Sequence, residues 1–154
     1  MNEQKQPKQD FLKYWRVVRF WVKEKYGIGQ QDLELMLFLY SERYFKKSDF
    51  DEYAEIVSWE KRRFQRLITQ GWIVKFREHR YSLNEGAIYQ LSHKAKGVIK
   101  NIYQKLLGEE GFSVDVRRSP LGKKDLNYMQ KVYRNAMVKI NKEYKEMKRK
   151  RLNP

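Results

Sequence analysis

Residues 58–80, SWEKRRFQRLITQGWIVKFREHR, constrain this chain more than any other stretch. Phe64, Leu67 and Ile68 recur at helical spacing with Val57 in line before them, which predicts an amphipathic helix over 58–70. Ser58 can cap the free amides of its first turn. Arg62, Arg66, Trp59 and Thr69 fall on the opposite side, flanked by Arg63 and Gln65. Gly71 ends the helix, and residues 72–76 read as a strand running into a charged tip, Arg77-Glu78-His79-Arg80. A short helix with a basic outer face and a basic hairpin directly after it has the form of a major-groove reading helix with its wing.

The flanking segments organise around this unit. Residues 10–26 carry Phe11, Trp15, Val18 and Val22 on one face and Tyr14, Val17 and Trp21 on the next. So broad an apolar surface predicts a helix buried on more than one side, by its own domain and by a partner subunit. Asp32 is a candidate start for a second, core helix through Leu33, Leu35, Met36, Leu37, Leu39, Tyr40 and Tyr44. Ser48 or Asp49 can cap a third, with Phe50, Tyr53, Ala54 and Val57 inward. Its acids Asp49, Asp51, Glu52 and Glu55 have no histidine among them; they suit a solvated helix start better than a metal site. The third helix, a break near residues 57–58 and the basic fourth helix make a helix-turn-helix. Residues 87–91 read as the returning strand, and Ser92 as the cap of a helix with Ala95, Val98, Ile99, Ile102, Tyr103, Leu106 and Leu107 as its apolar positions. After a loop over 111–122, a basic helix from about Lys123 places Leu126, Met129, Tyr133, Ala136, Ile140 and Met147 near heptad spacing, with Met137 and Tyr144 widening the seam.

Charge decides the class of partner. The chain is 154 residues long with a formal net charge of +15, and the excess is clustered. Residues 58–80 hold seven cations against two carboxylates and residues 117–154 thirteen against three, whereas residues 31–57 hold three against seven. Clustered positive charge favours polyanions through counterion release at phosphates. Eleven Tyr, eight Phe and four Trp argue for a packed core rather than a disordered basic tail. The absence of cysteine and of any membrane-length apolar run, and a polar N-terminus, predict a cytoplasmic protein with no membrane role. No G-x-S-x-G, phosphate-loop or H-E-x-x-H motif occurs, and His79 and His93 stand apart from ligand spacing, so no enzyme, cofactor or metal is expected.

The order of elements, the phrase Leu67-Ile68-Thr69-Gln70-Gly71-Trp72-Ile73, and Leu91-Ser92-His93-Lys94-Ala95-Lys96 opening a helix resemble the MarR-type winged helix-turn-helix regulators over residues 10–150. Ala95 stands where that family usually has Gly, and Arg77-Glu78-His79-Arg80 replaces its acidic-to-arginine wing tip. The resemblance implies a homodimer with interlocked N- and C-terminal helices, whose two reading helices enter successive major grooves of a pseudo-palindromic site on double-stranded DNA.

The expected fold is therefore mainly α with a small β-hairpin wing (α+β). It would comprise a flexible N-terminus over 1–9, a winged helix-turn-helix domain over 10–110 and a loop over 111–122. A basic amphipathic helix over 123–154 would then serve dimerisation. Candidate DNA contacts are Ser58, Trp59, Lys61, Arg62, Arg63 and Arg66 on the helix, and Lys75, Arg77, His79 and Arg80 on a wing spanning 75–86. Arginine can grip guanine bidentately. Tyr14, Trp15, Trp21, Tyr40 and Tyr44 are candidates for core or for a small-molecule effector pocket. Two other functions fit the same pattern: an architectural, replication-accessory or phage nucleoprotein-type DNA binder without strong sequence preference, and a winged-helix adaptor that binds protein.

Overall fold

The computed structural model describes residues 11–57, 61–77, 86–114, 120–122 and 124–153; of Phe11, Ala54, Val57, Lys61, Arg77 and Pro120 only the backbone is described. The N-terminus over 1–9, the Ser58 cap, Trp59, and the wing tip with His79 and Arg80 lie outside the described residues. The described chain is mainly helical with a small antiparallel sheet of three strands. In order come α1 (Phe11–Tyr26), α2 (Gln30–Glu42), β1 (Tyr44–Lys46), α3 (Lys47–Val57), α4 (Lys61–Thr69), β2 (Ile73–Arg77), β3 (Ile88–Leu91) and α5 (His93–Leu106). A 3-10 turn (Pro120–Gly122) and α6 (Tyr128–Leu152) complete the chain. Packing divides it into two compact units, Gly29–Lys100 and the pair of segments Met1–Ile28 and Asn101–Pro154. Helix α1, expected within a 10–110 domain, thus groups with the C-terminal segment, and α5 is divided between the units after Lys100.

In the unit Gly29–Lys100, α2 buries Leu33, Leu35, Met36 and Leu39. The sheet runs β1-β3-β2, with Phe45 opposite Tyr89 and Ile73 opposite Leu91. Side chains alternate across a strand, so Phe45, Tyr89, Ile73 and Leu91 share one face. Phe64 of α4 packs there, its ring 4.9 Å from Phe50 and 5.0 Å from Tyr89. Gly71 adopts φ +81, which a side chain rarely tolerates. It lets the Gly71 amide donate to Ile68 O and the Trp72 amide to Leu67 O, a closing motif that turns α4 straight into β2. Trp72 is buried, with the Lys94 ammonium 4.6 Å from its ring. Ser92 caps α5 as expected, accepting from the Ala95 amide at 3.1 Å.

Three expectations about this unit are corrected. Helix α2 starts at Gln30 behind Gly29, which has no side chain to cap with, and Asp32, expected at the start, lies in the first turn and is engaged by Arg63. Helix α3 starts at Lys47, and Asp49 works from the third helical position, reaching back to the Lys46 amide at 2.8 Å. Tyr44 is not the last apolar residue of α2. Arg43 turns the chain at φ 63, ψ −67, and Tyr44 opens β1.

In the other unit, Val18, Trp21 and Val22 of α1 are buried with Ile102 and Leu106 of α5, Leu121 of the 3-10 turn, and Met137, Ile140 and Tyr144 of α6. Phe20 stacks on Tyr133 at 3.9 Å, and the Tyr14 hydroxyl donates to Glu143 at 2.7 Å. Helix α6 starts five residues later than expected from Lys123, since Asn127 and Gln130 form a reciprocal capping box that fixes the first turn at Tyr128. Its buried seam is Met137, Ile140 and Tyr144; Met129, expected inside, is exposed. Among the described residues no helix is long and apolar enough to cross a membrane.

Candidate functional site

Helix α4 separates its two faces sharply. Successive residues rotate by about 100° around the axis, so Arg62, Gln65, Arg66 and Thr69 cluster opposite Phe64 and Leu67. All four are exposed, while Phe64 and Leu67 are buried. No carboxylate occurs in the helix, so its open face offers amide and guanidinium donors. The Thr69 hydroxyl is turned back onto Gln65 O at 3.0 Å.

Arg63 departs from the expected set. It lies on the flank of the buried face, one turn before Leu67, and only 7% of it is exposed. Its Nη1 donates to the Asp32 carboxylate and its Nη2 to Gln31 Oε1 at 2.6 Å, both in the first turn of α2; its Nε is buried without a partner among the described residues. Arg66 Nη2 also lies 3.5 Å from Asp32 while the side chain stays 45% exposed. One carboxylate thus holds two arginines: Arg63 is committed to joining α4 to α2, and Arg66 is steadied with its outer edge open. The expectation that Arg63 reaches a base or phosphate is corrected accordingly.

The other expected contacts are distributed as follows. Lys61 opens α4, and Arg77 ends β2 opposite Ile88, both described in backbone only. Lys75 is exposed on β2. The register slips between Lys75 and Arg77, which leaves Phe76 as an extra residue where the hairpin leaves the sheet. In the other unit, Lys145, Lys148, Arg149, Lys150 and Arg151 are all exposed along the last turns of α6.

Sequence reasoning missed the outer face of the sheet, because it placed Tyr44 in a helix. Tyr44 and Phe76 are 53% and 51% exposed, with ring centroids 4.7 Å apart. Beside them opens a pocket of about 440 Å³ lined by Tyr40, Ser41, Arg43, Tyr44 and Lys96, with Leu39 and Leu91 also contributing. Of the aromatic residues considered for an effector pocket, Tyr40 and Tyr44 line this one, whereas Trp21 is buried in the other unit and Tyr14 packs edge-on to Tyr144 there.

No protein-family model matches the chain, and comparisons with curated proteins and with solved structures find no match.

Proposed function

We propose that the chain is a DNA-binding protein of the MarR-like winged helix-turn-helix kind, a homodimer that reads a pseudo-palindromic site as a transcriptional regulator. The observation that carries this reading is α4: a helix without carboxylates, its inner face buried and its outer face offering Arg62, Gln65, Arg66 and Thr69. It is joined by a glycine turn to the antiparallel pair β2–β3. A helix of this kind presents bidentate donors to base edges in a major groove, and the hairpin supplies cations at the flanking phosphates. Dimerisation is supported by apolar side chains left open on one unit, Leu12, Tyr128, Met129 and Val132.

The test is selection of bound sites from a random duplex library near physiological salt, with the mass of the protein in solution measured alongside. An enriched inverted repeat bound by a dimer is the expected result. Absence of duplex binding overturns the reading. The basic end of α6 favours a second reading, an architectural binder with little sequence preference, and binding without enrichment would establish it.

A further inference from the structure

The outer face of the small sheet combines features that α4 does not have. Tyr44, Gln90 and Val74 stand in register across β1, β3 and β2, and Phe76 lies against Tyr44. Two large exposed rings therefore sit side by side on a rigid sheet. Cations border them: Arg43 and Lys96 line the adjoining pocket, and Lys96 Nζ is held 3.2 Å from Gln90 Oε1, over the sheet. Of the acids near β1, Asp49 accepts from the Lys46 amide. The surface thus offers ring faces for stacking and positive charge beside them, and among the described residues no carboxylate lines the adjoining pocket to repel an anion.

A flat aromatic ring joined to a phosphate matches this surface in both parts. Bases stack on exposed aromatic side chains whatever their identity, and flanking cations follow the phosphates. A hydrophobic peptide would have no use for Arg43 and Lys96, and a duplex keeps its base faces covered. We propose that Tyr44 and Phe76 form a stacking platform for nucleobases of a single strand, with Arg43 and Lys96 holding the adjoining phosphates. This site lies apart from α4 and stands without it.

The experiment measures binding of a labelled oligothymidylate by fluorescence anisotropy, beside an abasic strand of equal length and a duplex. Oligothymidylate should bind at least about tenfold more tightly than the abasic strand. Tyr44→Ala and Phe76→Ala should each weaken it by about tenfold, while Tyr44→Phe, which keeps the ring, should not. Tyr44→Ala should leave duplex affinity unchanged, which separates this site from the proposed reading helix. Competition by thymidine monophosphate identifies the source: displacement near the strand's own affinity assigns the site to a free nucleotide, and failure to displace assigns it to a strand. In the unaltered protein, an iododeoxyuridine strand should photocrosslink at Tyr44 or Phe76. Equal affinity for the abasic strand, or crosslinks confined to α4 or α6, overturn the proposal.

Discussion

At Arg62 and Arg63 a single step along α4 separates two uses of one side chain. Arg63 binds Asp32 and Gln31, so Arg63→Ala leaves a carboxylate that is only 17% accessible without its main partner. The expected loss is about 2–3 kcal/mol, somewhat below the cost at a fully buried pair, read from the urea midpoint. Arg62→Ala should leave that midpoint within about 0.5 kcal/mol and instead remove about 1–3 kcal/mol of site preference on DNA. The two roles were separable in the sequence. Arg63 is four residues before Leu67 and so shares its side of the helix, a phase that grouping the arginines by charge passes over. A second residue-scale case concerns pH. Burial lowers the pKa of Lys105 below its ordinary 10.5, opposed by Glu110 and aided by Lys25. Burial, with Tyr14 and Glu143 nearby, pushes Tyr144 up to about 12, and its hydroxyl donates to Lys105 O at 2.5 Å. The unfolded chain holds the Lys105 proton more tightly, so its contribution to stability rises with pH through the lowered pKa toward 10.5. The Tyr144 contribution is complete below pH 10 and lost as pH climbs through about 12. Urea midpoints taken from about pH 8 to 11 should show Lys105→Met flattening the rise. Tyr144→Phe should cost about 1–2 kcal/mol below about pH 10 and remove the alkaline loss.

Among the elements, the glycine that closes α4 and the serine that caps α5 were read, whereas β1, which has neither signal, was missed. Gly71 and Ser92 marked the end of α4 and the start of α5 where the structure has them. Strand β1 escaped because Arg43 makes its turn without a glycine, and Tyr44 continues the apolar pattern of α2 unbroken. The dihedral angles of Arg43 lie near those of a strained γ-turn. Arg43→Gly should therefore stabilise the fold by about 1 kcal/mol, seen as a higher melting temperature, while weakening the strand binding proposed above. The start of α6 did carry a signal, Asn127 with Gln130 three residues on, which heptad counting from Lys123 overran. Asn127→Ala should lower stability by about 1 kcal/mol and reduce helical circular dichroism as the first turn frays.

For the whole molecule the sequence conveyed charge better than shape. The basic stretches it marked include the exposed faces of α4 and the end of α6, and its acidic stretch includes Asp32, which the fold spends on Arg63. Division into two units was less legible, because α1 meets its packing partners only after residue 100. The basic end of α6 lies beyond the last buried side chain of that helix, Tyr144. Removing residues 145–154 should consequently leave the fold intact and weaken all duplexes about equally. The salt slope should fall by about 0.9 for each phosphate that the shortened protein no longer neutralises. Anisotropy titrations at several salt concentrations would measure it. One packing detail has a further, optical use. Trp21 lies in one unit with the Lys105 ammonium 4.2 Å from its ring, and Trp72 lies in the other under Lys94. A charge held over an indole changes its emission, and that change vanishes when the surrounding structure opens. The emission lost from the unaltered protein in Trp21→Phe and in Trp72→Phe, followed as difference spectra along one denaturant series, would give each unit its own signal and reveal whether they melt together or in turn.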